Sequence, residues 1–322
     1  MGLLILGSRM VCILVGGGTG FVGRHLVKIL RDTGSHVRII TRKPKNNTDY
    51  VSWDVIKHVG LPKETTAVIN VSGRNILDPV PWTESFKKEV YSSRVDTNRL
   101  LADAIHKAKR KPTAFITISG VGYYAPSDSY EYDEQWTQPA GSKQGSAANY
   151  LMRLAADWER ASELDATGSE STRRVIIRSG AVIGSDGGIV QNLKVPFNMS
   201  LGGPIGSGKQ WFPWIYVDDL ANMFKFALFN DNVQGVINGV APEQLRNVDF
   251  ANTFADLLNR PAMIPFPAFA VKLIFGSDRA VLLLDGMKVK SRAEAMGFKF
   301  EYPTLSEACK QSLRSEFDGK RS

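Results

Sequence analysis

Seven residues carry the clearest chemistry in this sequence: Gly17-Gly18-Thr19-Gly20-Phe21-Val22-Gly23. Gly17, Gly20 and Gly23 are spaced G-x-x-G-x-x-G. That pattern suits a pyrophosphate. The first glycine permits a tight turn, the second lets the backbone approach the phosphates, and the third lets a helix pack closely on a sheet. A second group, Thr41-Arg42-Lys43, falls about 20 residues further on, where such a site meets the adenosine ribose. An acid there would take the 2′-hydroxyl of NAD. Arg42 and Lys43 instead suit a 2′-phosphate, the Arg as a two-pronged fork and the Lys as a point charge. The expected cofactor is therefore NADP(H). Val71-Ser72-Gly73 forms a third group, a small-residue turn that lets the backbone approach the same ligand. Ser119 with Tyr123 and Tyr124 forms a fourth, hydroxyls able to polarise a substrate carbonyl by hydrogen bonding.

These groups need elements to position them. Residues 11–15 are a continuous apolar run, as in a strand buried on both faces of a parallel sheet. After the glycines, Val22, Leu26, Ile29 and Leu30 follow the spacing of one buried helix face. Strand, glycine turn and helix together give the motif its meaning. Further strands are expected at 37–41, 67–71, 114–118, 174–183 and 236–240, with an edge strand and a short helical turn within 49–60. Long helices are expected at 82–108 and 147–162, the first with a kink, and a further helix from Ile215 to Phe229. Residues 126–146 read as a polar loop able to cover a substrate. Strands alternating with helices specify an α/β fold, a doubly wound parallel sheet of Rossmann type. The chain divides into an extension (1–9), a nucleotide-binding domain with substrate-lobe insertions (10–240) and a small α-rich C-terminal lobe (241–322).

Composition narrows the function. The formal charge is +8, but the basic residues are scattered, so a solvated surface suited to anionic metabolites is favoured over nucleic-acid binding. No apolar run is long enough to span a bilayer. Cys12 and Cys309 lie far apart and suggest neither a disulfide scaffold nor a metal site. They fit a reducing compartment, the cytoplasm, with the mitochondrial matrix as the alternative if residues 1–9 act as a weak organelle signal. Gly203 to Gln210 nearly spells a P-loop, but Gln210 stands where a hydroxyl should hold magnesium and no buried strand precedes it. The expected partner is a small molecule, and the two long helices could form a homodimer interface.

Gly-Gly-Thr-Gly-Phe-Val-Gly (17–23), Asn-Val-Ser-Gly (70–73), Ser119 with Tyr123-Tyr124, Arg-Ser-Gly (178–180) and Tyr-Val-Asp-Asp-Leu (216–220) together resemble one family. It is the extended short-chain dehydrogenase/reductases, the NAD-dependent epimerase/dehydratase family. The stretch 201–215, Leu-Gly-Gly-Pro-Ile-Gly-Ser-Gly-Lys-Gln-Trp-Phe-Pro-Trp-Ile, with the 241–310 tail, is similar to its atypical 39U branch. The resemblance implies an NADP-dependent oxidoreductase or epimerase with cofactor contacts from the 17–23 loop, Thr41-Arg42 and Val71-Ser72. It also places Glu89 and Arg94 beside the cofactor, although by themselves they read, like Asn98, as surface residues of the long helix.

One departure bears on catalysis. The wider superfamily uses Tyr-x-x-x-Lys, where the Lys lowers the tyrosine pKa for proton exchange. Here Leu154 stands four residues after Tyr150. Arg153 lies one position short, about 100° round the helix from where the Lys would stand. Tyr150 falls on the apolar stripe of its helix and reads as a packed tyrosine. Proton transfer would then fall to Ser119, Tyr123 or Tyr124. The alternative is a non-catalytic NADPH-binding sensor or scaffold.

Overall fold

Apolar runs become strands and the amphipathic stripes between them become helices, in alternation along the chain. The computed structural model describes residues 11–45, 47–78, 80–138, 147–164, 171–262 and 265–318. The first half comprises β1 (Cys12–Gly16), α1 (Phe21–Arg31), β2 (His36–Thr41), β3 (Tyr50–Ser52), α2 (Trp53–His58), β4 (Ala67–Asn70), α3 (Glu84–Ser92), α4 (Val95–Lys107) and β5 (Ala114–Gly120). There follow β6 (Ser127–Tyr132), α5 (Ala147–Arg160), β7 (Arg173–Ser179), β8 (Ala181–Ile183), α6 (Gly188–Asn198), β9 (Trp214–Tyr216), α7 (Val217–Phe229) and β10 (Gly235–Gly239). The tail adds α8 (Asn247–Leu258), α9 (Ala268–Phe275), α10 (Ser277–Leu284), β11 (Met287–Val289) and α11 (Leu305–Asp318).

Seven strands form one parallel sheet in the order β3-β2-β1-β4-β5-β7-β10. The chain builds outward from β1 to β3, then crosses to β4 and builds outward the other way. That reversal opens a crevice at the C-terminal ends of β1 and β4, the place where open α/β sheets bind ligands. Register brings Gly16 beside Asn70 on one side and Ile40 on the other.

Strand alternation divides the core between the two faces. Ile13 and Val15, with Ile39, Ile69, Ile116 and Ile177, meet Leu26 and Leu30 of α1 and Leu220 and Phe224 of α7. Leu14, Ile40, Val68 and Phe115 point the other way, onto Leu101 and Ile105 of α4. Each such fully buried side chain contributes about 1.5–3 kcal/mol by leaving water. Both cysteines are free and buried. Among the described residues, no helix is long and apolar enough to cross a membrane.

Four expectations change. The helix over 82–108 is two helices, α3 and α4, broken at Ser93-Arg94. Ser93 Oγ accepts a hydrogen bond from the Arg74 amide (2.8 Å) and donates one to the Val90 carbonyl, pinning the break to the turn after β4. The strand over 174–183 is cut at Gly180, where a Cβ would lie 2.7 Å from the Pro213 carbonyl oxygen. That close approach lets β8 leave the main sheet and pair with β9, so Trp214–Tyr216 is a strand and α7 begins only at Val217. The polar stretch after Pro126 is not all loop. Ser127–Tyr132 pairs in parallel with Met287–Val289, a partner too remote in sequence for local patterning to reveal. Residues 139–146 lie outside the described residues. The near P-loop is a structural turn whose Gln210 amide donates to the Ile205 and Leu283 carbonyls.

Candidate functional site

The glycine turn between β1 and α1 does what its three glycines allow. Gly17 adopts φ +78°, and a Cβ there would lie 2.7 Å from the Ser72 amide nitrogen, so the turn sits directly on the strand exit at Val71-Ser72. A Cβ at Gly23 would lie 2.0 Å from the Gly17 carbonyl oxygen, so α1 packs on the turn at backbone distance. Gly20 is different. A Cβ there would meet only the Gly17 carbonyl oxygen, at 3.3 Å, and Thr19 and Gly20 are exposed at the crevice mouth. Gly20 is also the N-cap of α1, and no side chain caps that end. The first turn of α1, with Phe21 and Val22, thus presents backbone N–H groups and the positive end of the helix dipole to the crevice.

The far wall is built from β4 and α4. Asn70, fully buried, donates to Asn98 Oδ1 (2.6 Å) and Thr97 Oγ1 (3.2 Å), while its Oδ1 accepts from the Ser72 amide (3.1 Å). Thr117 also donates to Asn98, whose amide donates on to the Trp158 carbonyl. This network sets the path of Val71, Ser72 and Gly73. Among the described residues, Ser72 Oγ is buried with no hydrogen-bond partner.

Arg94 and Asn98 correct the surface reading. Arg94 is 9% exposed, and its guanidinium lies against the Gly73 backbone, where a Cβ would be 3.1 Å from Cζ. It donates to the Val90 carbonyl and lies 5.1 Å over the Trp158 ring, with no carboxylate partner among the described residues. Burial lowers its pKa to about 10, so it remains a cation at neutral pH. Glu89 is exposed near the end of α3, with Arg74 Nε at 3.9 Å. The spacing 94, 98, 101, 105 follows the apolar face of the helix, a signal that these polar residues point inward.

At the C-terminal end of β2, Thr41 is half-buried and Arg42 and Lys43 are exposed just past the strand. Among the described residues the Arg42 guanidinium has no partner.

The proposed catalytic hydroxyls separate. Ser119, on β5, is 2% exposed, and its Oγ is buried without a partner among the described residues. Such an orphan costs about 1–3 kcal/mol unless a bound molecule completes it. Its register neighbour on β7 is Arg178, which lies 3.5 Å over the half-buried Tyr123 ring. Among the described residues the Tyr123 hydroxyl has no partner. Tyr124 departs from the expectation of a substrate-facing hydroxyl. It has no exposed surface, and its hydroxyl meets the Asp133 carbonyl (3.0 Å), Asn238 Oδ1 (2.8 Å) and a donating Arg178 Nη1 (3.0 Å). Burial pushes its phenol up, against the pull of Arg178. The geometry gives Tyr124 a packing role and no free hydroxyl for a substrate.

Arg178 itself is 3% exposed and grips Glu159 of α5 through both carboxylate oxygens, at 2.7 and 2.8 Å. Burial alone would lower its pKa, and the Glu159 bonds raise it above the ordinary value. A charged residue closing an apolar strand was the available signal. Tyr150 packs edge-on to Trp82 (5.6 Å), with its hydroxyl on the Lys87 carbonyl (3.3 Å), while Arg153 is exposed.

Comparison with known proteins places this geometry. Residues 13–238 match the model of the NAD dependent epimerase/dehydratase family, and residues 266–312 match a domain of unknown function, DUF1731. The epimerase family protein SDR39U1 of Homo sapiens is 43% identical over 301 residues, covering 93% of this chain and 98% of the relative. A chloroplastic homologue from Arabidopsis thaliana is 34% identical over 319 residues, covering 95% of this chain and 88% of the relative. The crystal structure of human SDR39U1 (isoform 2) with NADPH superposes with a TM-score of 0.87 at 42% identity, covering 94% of this chain and 99% of that one. The glycine turn, the switch-point crevice and these matches agree, and the chain belongs to the NAD-dependent epimerase/dehydratase family.

Proposed function

We propose that this protein is an NADP(H)-dependent oxidoreductase or epimerase acting on a small polar substrate. The observation that carries the reading is the uncapped N-terminus of α1 above a glycine turn, facing a crevice with a buried Arg94 and orphan Ser72 and Ser119 hydroxyls. The residues present fit the cofactor: a diphosphate completes the free helix end, and anionic or polar groups complete the unpartnered donors. In this reading Gly17, Thr19, Gly20, Phe21, Val22 and Gly23 hold the pyrophosphate. Thr41, Arg42 and Lys43 hold the 2′-phosphate, and Val71, Ser72 and Gly73 form the opposite wall with Glu89 and Arg94 beside it. The similar human protein crystallised with NADPH supports this choice of dinucleotide.

The bound nicotinamide would supply hydride transfer. Ser119 and Tyr123 orient and polarise the substrate oxygen, and the Arg178–Glu159 pair fixes the Tyr123 ring. A second reading, an NADPH sensor without turnover, is favoured by one observation: the Tyr150 hydroxyl is engaged by the Lys87 carbonyl, and no Lys follows one turn later.

Calorimetric titration of NADPH and NADH tests the cofactor. NADPH is expected to bind more tightly, and Arg42→Ala to weaken it by about ten- to thirtyfold, the size of a charge-assisted contact at an exposed site. NADH affinity should stay within about twofold. Equal, weak binding of both cofactors would overturn the assignment. Ser119→Ala separates the two functional readings. Oxidation of NADPH with a panel of small carbonyl substrates should fall by about a hundredfold while NADPH affinity holds. No turnover by the wild type on any of them would favour the sensor.

A further inference from the structure

His25 stands one turn into α1, behind Phe21, and both of its ring nitrogens face a carboxylate. Nδ1 lies 2.6 Å from Asp218 Oδ1, at the start of α7. Nε2 lies 3.0 Å from Asp186 Oδ1, in the glycine-rich turn that follows β8. Arg24, from the same helix, also holds Asp186, at 2.9 Å. A neutral imidazole carries one N–H, so its other nitrogen would turn a lone pair toward a carboxylate. Only the imidazolium satisfies both contacts.

The clasp bears on the cofactor turn through Phe21. The Phe21 ring meets the His25 ring edge to face, centroids 5.8 Å apart. It also occupies the space that side chains at Gly184, Gly187 and Gly188 would need, with Cβ positions 2.4–3.0 Å from ring atoms. Holding Asp186 therefore seats the 184–188 turn on Phe21, a member of the 17–23 motif. Asp219, the next residue of α7, faces elsewhere and accepts from the Glu301 and Tyr302 amides. Near Asp218, the Tyr216 and Tyr302 rings are tilted against each other with centroids 4.2 Å apart, and burial with nearby acids, chiefly Asp218 for Tyr216 and Glu301 for Tyr302, pushes both phenols up.

We propose that His25 is a pH-dependent positioning residue: protonated, it clamps Asp186 and Asp218, seats the 184–188 turn on Phe21 and strengthens NADPH binding, and losing the proton releases the turn. The proposal rests on NADPH occupying this site. The Asp218 hydrogen bond, opposed by burial and aided by Asp186, raises the His25 pKa. The clasp is therefore complete below the ordinary imidazole value of about 6.5 and is lost as pH rises through the raised one.

Two measurements test it. NMR titration of the four histidine rings, with His25→Gln to assign the signal, reads the clasp without cofactor. His25 should titrate above about 6.5, and Asp218→Asn should bring it down. NADPH affinity is then compared well below and well above the His25 pKa read in that titration, each variant as a ratio to wild type at the same pH, which cancels ionisation of the cofactor phosphate. His25→Gln should bind about fivefold more weakly at the lower pH and equal wild type at the higher one. His25→Arg, with a fixed charge, should hold its affinity at both. A His25→Gln ratio unchanged with pH, or His25 titrating at or below its ordinary value, would overturn the clasp. Failure of wild type to bind NADPH at either pH would instead overturn the cofactor reading and the proposal with it.

Discussion

Gly23→Ala is expected to destabilise the protein by about 3 kcal/mol and to reduce NADPH affinity by at least about a hundredfold, the far end of overpacking effects. The added Cβ would lie 2.0 Å from the Gly17 carbonyl oxygen, 2.7 Å from Gly18 Cα and 2.8 Å from Gly17 C. All three are backbone atoms, so no rotamer change relieves the contact. The turn cannot retreat either, because Gly17 already rests on Val71 and Ser72. Helix α1 must therefore tilt away, taking its N-terminus out of the crevice and Phe21 off the 184–188 turn. Gly20→Ala makes the informative comparison. Its Cβ meets one atom at 3.3 Å and otherwise faces the crevice, so the fold should persist while cofactor affinity falls. Thermal melts and calorimetry on both variants check the pair. A Gly23→Ala protein with wild-type melting temperature would contradict the packing argument.

Glu159→Ala is expected to cost about 3–5 kcal/mol, because it leaves Arg178 charged and buried without its partner. Glu159 is 7% exposed and Arg178 3%, so water does not screen the loss. The damage should spread, since Arg178 also donates to the Tyr124 hydroxyl and lies over Tyr123. Denaturant unfolding measures the cost. The double variant Glu159→Leu/Arg178→Met removes both charges and should recover most of the stability, because a buried pair replaced by apolar groups of similar size is close to neutral. If it is as unstable as Glu159→Ala, the charge is not the cause.

The strand, glycine turn and helix of the candidate site were legible because their signals are local. Residues 11–30 contain a both-faces-apolar strand, three glycines at fixed spacing and one apolar helix stripe, so a short window determines strand, turn and helix. The tight turn at Gly17 and the close helix packing at Gly23 both appear in the backbone contacts, and Gly20 is left open between them. Arg42 and Lys43 are placed by their distance from the glycines and the end of β2 alone.

The substrate side was less legible because its polar residues owe their roles to distant partners. Tyr124 and Ser119 both look like hydroxyls beside a sheet edge. Only the fold brings Asn238 and Arg178 onto one of them and leaves the other without a partner. Asp218 and Asp219 are adjacent acids in the first turn of α7, yet one holds His25 and the other the 301–302 backbone. Periodicity fixes which way a side chain points relative to its own element, and with the glycine spacing it determined the parallel sheet, its crevice and the glycine turn. Which buried donor meets which acceptor depends on how elements separated by a hundred residues pack, and only the tertiary structure decided that.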